Sequence, residues 1–372
     1  MNTRKPVVLL APLDWGLGHT VRCIPIIQEL LKQKCDVLVA CNSKQKQFLY
    51  RENASITFIH LEGYNIKYGK SRLQTLFKIF LQTPKMLIKV NRERTWLKKF
   101  LLQTRVDAVI SDNRYGFVSS ELPSIFITHQ LRPISGTGPL VDGFIQKVLY
   151  YYINKFGVCW IPDWISTEIN AGGKLSHPEK LPGVPIKYIG CLSRFEKSVS
   201  SPGFGMNTLL IILSGPEPQR TVLENLIVGQ LKTGTLNAVL VRGVFDNSSI
   251  ASSDNIIVLN NASSIELNAL ICNSDIIVGR SGYTTVMDIL KLGKKSILIP
   301  TPGQAEQEYL ATYLHEKKFI YAMDQKTFCL KTALEKIKVF PFQNITTSME
   351  QYKPIIETFV ASLKDHPSNL HA

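Results

Sequence analysis

Short apolar runs alternate with segments of helical periodicity along the whole chain, and this alternation limits the possible folds more than any other feature. In the first half, strands are predicted at 7–11, 37–40, 56–59, 108–111 and 124–128, with a helix over 20–32. The pattern restarts with strands at 209–213, 238–241, 256–259, 275–278 and 296–299, and helices at 264–272, 283–292 and 306–317. Such alternation is typical of parallel sheets covered by helices. We therefore predict two doubly wound, Rossmann-like α/β domains that face a cleft.

The length of the chain also indicates two domains, because 372 residues exceed what a single hydrophobic core usually supports. A segment rich in Ser, Gly and Pro over 198–207 is the best candidate for a linker. It separates an N-terminal domain, 1–197, from a second domain, 208–348. A final helix over 349–363 is expected to rejoin the first domain.

The net charge of +14 belongs entirely to the first half of the chain. Residues 1–200 hold 28 Lys/Arg and 14 Asp/Glu, whereas residues 201–372 hold 15 of each. The excess concentrates in 67–105, where 11 basic residues and the single acid Glu93 alternate with apolar residues at helical spacing. This pattern fits an amphipathic segment on an anionic membrane surface, and it equally fits a helix that packs on the core and exposes a basic face. Nucleic acid is disfavoured as a partner, since no recognised nucleic-acid module is present.

Other classes of protein are excluded by what the sequence lacks. The apolar runs are far shorter than the roughly 18 residues that a membrane-spanning helix needs. The seven cysteines form no Cys-x-x-Cys pair and have no histidine at ligand spacing, so we predict no zinc site and no disulfide framework. A cytoplasmic location is therefore expected.

The loop after the first strand, Gly16-Leu17-Gly18-His19, opens a helix. It lacks the third glycine of a dinucleotide fingerprint, which makes a nicotinamide cofactor a weak prediction. His19 is either a helix-start histidine in contact with water or a general base, for which an ordinary pKa of about 6.5 is suitable. Two later strand ends carry Asp112, Asn113, Arg114 and His129. These residues either cap the following segments or together line a substrate pocket.

The second half carries the strongest candidate site. A buried strand ends in Arg280-Ser281-Gly282, and a helix follows with Thr284, Thr285 and Asp288. Amide groups and hydroxyls at a helix start suit a diphosphate, and an acid nearby suits ribose hydroxyls. The next strand leads to Gln304, Gln307 and Glu308, and Ser214-Gly215 forms a weaker candidate phosphate loop after the first strand of this half.

Taken in order, Gly16 to His19, Arg280 to Asp288 and Pro300 to Tyr309 resemble the signatures of glycosyltransferase family 28. The resemblance implies the two-domain GT-B fold, with an acceptor-side N-terminal domain and a nucleotide-sugar donor domain. It also implies that Asp288 takes the place of a ribose-binding Glu, and that Gln307 and Glu308 take the place of a Gln-Gln pair at the ribose and donor sugar. Ser281 and Gly282 match the phosphate-side turn, Gly18 and His19 match the N-terminal loop, and Arg194 matches an arginine near the donor.

The sequence departs from the family pattern at three places. Glu308 replaces the second Gln of the pair, and Asp288 is shorter than the family's Glu. The loop at Ser214-Gly215 replaces a Gly-rich loop. The acceptor side does not match the peptidoglycan N-acetylglucosaminyltransferase of the family, so the chain is not expected to be that enzyme.

From these observations we expect inverting sugar transfer from a UDP-sugar, as co-substrate, to a hydroxyl acceptor. His19 or Asp112 would be the base, and no metal or other cofactor is expected. The family's lipid acceptors favour a lipid-linked or cell-envelope glycan and a location at the inner face of the cytoplasmic membrane. A UDP-sugar epimerase and a non-catalytic nucleotide-sugar-binding protein remain alternatives.

Overall fold

The computed structural model describes residues 4–53, 55–64, 72–197, 208–232, 236–244, 252 and 255–365, with side chains of 72–84 and 208 left out. The chain divides into two compact units. The first comprises Met1–Leu192 and Ser348–Ala372, and the second comprises Ser193–Thr347. The division falls after Leu192, before the predicted boundary at 197, and the predicted linker 198–207 lies outside the described residues.

In the first unit, the strands are β1 (Val7–Pro12), β2 (Asp36–Cys41), β3 (Thr57–His60), β4 (Ala108–Asp112), β5 (Ser124–Ile127), β6 (Val158–Ile161) and β7 (Ile186–Tyr188). Its helices are α1 (Gly18–Lys32), α2 (Ser43–Glu52), α3 (Arg72–Gln103), α4 (Pro139–Ile153) and, far along the chain, α10 (Tyr352–Asp365). The strands form one parallel sheet in the order β3-β2-β1-β4-β5-β6-β7.

Helices cover both faces of this sheet, as the alternation of strands and helices along the chain predicts. Val8 and Leu10 face one core, which includes side chains of α1 and α10. Leu9 and Ala11 face the other core, to which α3 contributes Leu97. The chain returns to this unit through α10, whose Phe359 meets Trp160 edge to face with ring centroids 5.6 Å apart.

In the second unit, the strands are β8 (Thr208–Ile212), β9 (Ala238–Val241), β10 (Ile256–Leu259), β11 (Ser274–Gly279), β12 (Lys295–Leu298) and β13 (Tyr321–Ala322). The helices are α5 (Gln219–Leu231), α6 (Ser264–Asn273), α7 (Tyr283–Leu292), α8 (Ala305–Glu316) and α9 (Leu330–Val339). The sheet is again parallel, in the order β10-β9-β8-β11-β12-β13.

In each sheet the strand order reverses once, between β1 and β4 in the first and between β8 and β11 in the second. Ligands of open parallel sheets bind outside the carboxyl ends of the strands at such a point. The loops that follow these strands contain the polar residues singled out in the sequence. The predicted fold class of two doubly wound parallel-sheet domains is confirmed.

Some elements are absent from the sequence-based prediction. The short strands β6, β7 and β13 and the helices α2, α4 and α9 were not predicted. In the 67–105 segment, Leu97 is buried and the side chains of Trp96, Phe100 and Leu101 pack against the core. Trp96 stacks on Phe100 and Phe117, with ring centroids 5.2 and 6.1 Å apart. This end of α3 therefore follows the core-facing alternative. The rest of the predicted amphipathic segment, residues 67–71 and the side chains of 72–84, lies outside the described part.

Among the described residues, none of the helices combines the length and hydropathy needed to cross a lipid bilayer.

Candidate active site

The first cluster of candidate residues forms where α1 begins beside the end of β4. His19 and Arg22 lie one helical turn apart on α1, so their side chains point the same way. Asp112 is the last residue of β4 and is fully buried. Arg22 Nε donates to both carboxylate oxygens of Asp112 at 2.9 Å, and Arg22 Nη2 donates to Oδ1 as well. The result is a buried ion pair directly beneath His19.

His19 Nδ1 lies 3.1 Å from Asp112 Oδ2 and 2.9 Å from Arg22 Nη2. In one tautomer Nδ1–H donates to the carboxylate, and in the other Nδ1 accepts from the guanidinium. Only the first tautomer leaves the lone pair on Nε2, where a base would use it. The histidine side chain is 15% exposed, which keeps it accessible from one side.

His129 follows β5 and extends the same cluster. Its Nδ1 lies 2.7 Å from Arg22 Nη1. Because a guanidinium only donates, Nδ1 of His129 accepts, and its proton is on Nε2. The structure thus brings together the predicted residues His19, Asp112 and His129.

The electrostatics separate the two candidate bases. Burial raises the pKa of Asp112, but the charges of Arg22 and His19 outweigh it and hold the pKa at about 2. Burial, and then Arg22, lower the pKa of His19 below its ordinary value, against an opposing effect of Asp112. His19 is therefore neutral at pH 7 and able to accept a proton. The geometry disfavours Asp112 as the base and makes it the residue that orients His19.

Arg114 points away from this cluster, contrary to the predicted acceptor-side role. Its guanidinium is buried, pairs with Glu93 and donates to the carbonyl of Glu62 at 2.8 Å. Asn113 redirects the chain between Asp112 and Arg114 with a φ of 57°, a left-handed conformation that asparagine tolerates better than most residues. Arg114 is thus a structural residue that fixes α3 and the β3 loop to the sheet.

Two residues of the first site were missed by the sequence analysis. Arg22 makes the central ion pair, and its only sequence signal is a charge one turn after His19 on an otherwise apolar helix face. Gln45 is buried, and its Nε2 donates to Thr20 Oγ1 and to the carbonyl of Leu13, at 3.0 and 3.1 Å. Gln45 lies on α2, and these hydrogen bonds hold the loop before α1 in place. No local sequence pattern indicates such a contact.

In the second unit, glycines open the ends of the two central strands. Gly282 is the N-cap of α7 and provides no side-chain cap. Gly215 lies in the loop after β8 with a φ of +104°. A Cβ added at either position would meet nothing within 4 Å. A ligand phosphate can therefore approach the backbone at both positions, and the partial positive charge at the start of α7 favours it. Thr284 and Thr285 lie in the first turn of α7, and Ser214 precedes Gly215 in its loop.

Arg280 is buried and holds three loops together. Nη1 donates to the carbonyl of Pro300 at 3.1 Å, and Nη2 donates to the carbonyl of Gln219 at 2.8 Å. Burial lowers the pKa of Arg280 to about 10. The guanidinium of Arg280 therefore joins the loops after β8, β11 and β12, and its predicted contact with the donor stays a prediction.

The side chains at the start of α8 also organise the backbone. Ser281 Oγ donates to the carbonyl of Gln307 at 2.9 Å, and so joins α7 to α8. The Gln307 side chain accepts from the Thr301 amide at 3.0 Å and donates to Gln304 at 2.6 Å. Glu308 accepts from the Gly303 amide at 2.7 Å. These contacts fix the turn between β12 and α8. Gln304 is the N-cap of α8, and Gln307 and Glu308 lie in its first turn.

Asp288 lies in the middle of α7 and contacts the segment that begins the second unit. Ser193 Oγ donates to Asp288 Oδ1 at 2.5 Å. Burial raises the pKa of Asp288 to about 6, against the opposing charge of Arg194 and the hydrogen bond from Ser193. Lys291, further along α7, pairs with Glu196 at 2.7 Å. These contacts explain why residues from Ser193 onward belong to the second unit, and they place Arg194 beside Asp288.

Comparisons with known proteins indicate a glycosyltransferase. The model of the glycosyltransferase family 28 C-terminal domain matches residues 235–364. A curated relative is the UDP-N-acetylglucosamine--N-acetylmuramyl-(pentapeptide) pyrophosphoryl-undecaprenol N-acetylglucosamine transferase of Caldanaerobacter subterraneus subsp. tengcongensis. It is 21% identical over 341 residues, which cover 86% of this chain and 87% of the relative.

Two solved structures show that the fold is shared. The glycotransferase of kitacinnamycin aligns with a TM-score of 0.64 at 14% identity, covering 98% of this chain and 95% of that one. Phytolacca americana UGT2, complexed with UDP-2fluoro-glucose and pterostilbene, aligns with a TM-score of 0.57 at 14% identity, covering 97% and 94%. Residues 235–364 therefore match the C-terminal domain of glycosyltransferase family 28, and the chain is a glycosyltransferase with the GT-B fold.

Proposed function

We propose that the chain transfers a sugar from a UDP-sugar to a hydroxyl group of an acceptor, with inversion at the anomeric carbon. The observation that carries this proposal is the His19–Asp112 pair above the buried Arg22. A neutral histidine that is oriented by a carboxylate and partly exposed is the arrangement that a general base requires.

In this scheme the acceptor hydroxyl gives its proton to His19 Nε2 as its oxygen attacks the anomeric carbon. A new carbon–oxygen bond forms, the bond from that carbon to the diphosphate breaks, and UDP leaves. The proton on His19 then passes to solvent. A single displacement of this kind inverts the anomeric centre. A double displacement would need a free carboxylate nucleophile, whereas both oxygens of Asp112 accept hydrogen bonds from Arg22.

The second unit supplies the donor contacts in this proposal. The backbone at Gly215 and Gly282, with the first turn of α7, binds the diphosphate and stabilises its developing charge. Asp288, ionised above a pKa of about 6, accepts hydrogen bonds from the ribose hydroxyls. UDP is favoured because the relative's name specifies UDP-N-acetylglucosamine and UGT2 was solved with UDP-2fluoro-glucose. We propose no resident metal or cofactor and expect turnover to persist in EDTA.

The acceptor that we propose is a lipid-linked or cell-envelope glycan, bound at the cytoplasmic face of the membrane. The support is the relative's pyrophosphoryl-undecaprenol acceptor, together with the positive charge of the first 200 residues.

The test begins with thermal denaturation against a panel of nucleotide-sugars, since a bound donor raises the melting temperature by mass action. Transfer from the best donor is then measured for the wild type, for His19→Ala and for His60→Ala, an exposed histidine that serves as the matched control. We expect His19→Ala to lose about 10²- to 10⁴-fold in kcat with unchanged donor affinity, and His60→Ala to match the wild type. Unchanged turnover in His19→Ala would refute the base, and an epimer formed from the donor alone would refute the transfer.

A further inference from the structure

Glu93 is the single acid of the basic segment 67–105, and its side chain is buried inside the first unit. Three donors from other segments surround its carboxylate: Arg114 Nε, the Gly116 amide at 3.1 Å and the Tyr64 hydroxyl at 2.6 Å. We call Glu93 and these three partners the Glu93 network. A buried carboxylate that is satisfied in this way holds the segments of its donors in fixed positions.

Two of the donors belong to the loop that follows β4. Arg114 comes two residues after Asp112, the last residue of that strand, and Gly116 comes four residues after it. A Cβ added at Gly116 would lie 2.1 Å from the carbonyl oxygen of Val90 and 2.8 Å from a carboxylate oxygen of Glu93. The backbone of this loop therefore lies directly against α3, so a displacement of Glu93 would displace the chain just beyond Asp112.

The third donor belongs to the loop after β3, which in turn contacts the loop between β1 and α1. The Tyr64 amide donates to Asp14 Oδ1 at 2.8 Å. A Cβ added at Gly63 would lie 2.0 Å from Asp14 Oδ2, so the glycine allows the two loops to meet. Asp14 lies five residues before His19, in the loop that leads into α1. Glu93 is thus joined through Tyr64 to the segment that carries His19.

Further contacts hold the loop after β3 in the same place. Lys89 of α3 donates through Nζ to the carbonyl of Gly63. Arg114 Nη2 donates to the carbonyl of Glu62 at 2.8 Å, and the guanidinium carbon lies 5.3 Å from the centroid of the Tyr64 ring. The loop is therefore fixed both by α3 and by the loop after β4.

We propose that Glu93 is a positioning residue for sugar transfer, which holds the loops after β1, β3 and β4 so that His19 and Asp112 stay in contact. The inference rests on the proposed role of His19 as the base. His19 Nδ1 and Asp112 Oδ2 belong to two of the segments that the Glu93 network joins, and they lie 3.1 Å apart. A displacement of about 1 Å in such a site can cost about 10²-fold in rate. Glu93 would act at this pair from α3, without touching the substrate.

Histidine NMR of the full chain, labelled at Cε1, measures the titration of His19 without any turnover. The His19 signal is the one that disappears in His19→Ala. In the wild type, burial and the charge of Arg22 hold the pKa of His19 below 6.5, against the opposing effect of Asp112. Loosened loops admit water, so the midpoint should move up towards 6.5 in Glu93→Gln and in Tyr64→Phe.

Tyr64→Phe removes one hydroxyl and keeps the ion pair of Glu93 and Arg114, so it carries the test where Glu93→Gln fails to fold. The matched control is Tyr188→Phe. It also removes one hydroxyl from the first unit, which donates to the carbonyl of Ser176 at 2.9 Å. The control should leave both the titration and turnover unchanged.

Turnover of the same variants is measured with the donor that thermal denaturation selects, at a temperature where circular dichroism shows each variant to be folded. We expect kcat to fall about tenfold in Tyr64→Phe and about 10²-fold in Glu93→Gln, with an unchanged KM for the donor. A wild-type midpoint for His19 in every folded variant, or a wild-type kcat in them, would overturn the inference, because Glu93 would then only stabilise the fold. If the wild type transfers no sugar, the proposed function fails, and the titration alone decides whether Glu93 positions His19.

Discussion

Asp288→Asn tests whether the acid of α7 binds the donor, because the structure predicts opposite effects on affinity and on stability. The pKa of Asp288 is about 6 in the folded protein, against an ordinary value of 3.8. If only the ionised form binds ribose hydroxyls, the apparent Kd scales with the inverse of the ionised fraction. That fraction is about 0.9 at pH 7 and about 0.1 at pH 5, so the Kd should rise about tenfold over this interval.

The same shift destabilises the folded unit. A folded-state pKa above the unfolded one means that folding becomes less favourable as the pH rises from about 4 through 6. At pH 7 this difference of about two pKa units costs about 3 kcal/mol. Asp288→Asn should relieve up to that amount and raise the melting temperature, while it weakens donor binding and removes the pH dependence below 7.

The assay is titration calorimetry with a nucleotide-sugar between about pH 5 and 8. Free UDP is unsuitable, because a terminal phosphate titrates near about pH 6 itself. Asp275→Asn, at an exposed acid of the same unit, is the matched control and should change neither quantity. The reasoning is wrong if Asp288→Asn keeps the wild-type pH profile, or if it lowers the melting temperature.

Three further predictions concern other contacts. Asp112→Asn should lower the free energy of unfolding at pH 7 by at least about 2 kcal/mol, because the folded-state pKa of about 2 lies below the ordinary 3.8. This contribution is present above about pH 4 and is lost as the pH falls towards 2. In urea denaturation, the difference in the free energy of unfolding between wild type and variant should therefore close over that range. Equal stability of the two proteins at pH 7 would contradict the ion pair. Arg280→Lys should raise the donor Kd and lower the melting temperature, since one ammonium cannot reach all its carbonyls, whereas the exposed Arg51→Lys should do neither. Gly215→Ala should cost about 1–2 kcal/mol because its φ is positive, and Gly229→Ala, within α5, should instead stabilise by up to about 1 kcal/mol; thermal denaturation with and without donor separates strain from lost binding.

Periodicity was sufficient to predict the fold because strands buried on both faces give continuous apolar runs. β9 and β10 were predicted to the residue, at Ala238–Val241 and Ile256–Leu259. The same rule fails for β13, which has two residues and gives no run to detect. It also failed for α4, because apolar residues lie on both the packed and the exposed face of this helix and the polar face that marks a core-facing helix is missing.

The candidate sites were predictable as loops but not as individual contacts. Arg114 and Arg280 carry the charge that a ligand site needs, yet each donates to backbone carbonyls that other segments bring close. Local sequence does not distinguish an arginine that binds a ligand from one that joins loops. Arg22 and Ser193 were missed for the related reason that their partners, Asp112 and Asp288, lie about ninety residues away.

The position of α10 has a consequence for synthesis of the protein. Tyr352, Ile356 and Val360 belong to the same core as Cys23 and Ile26 of α1. On the ribosome, the second unit can therefore be complete while the first still exposes the apolar surface that α10 covers. A premature stop codon ahead of Tyr352 would leave the sequence of the second unit whole and damage the first, which is the unit that emerges earliest.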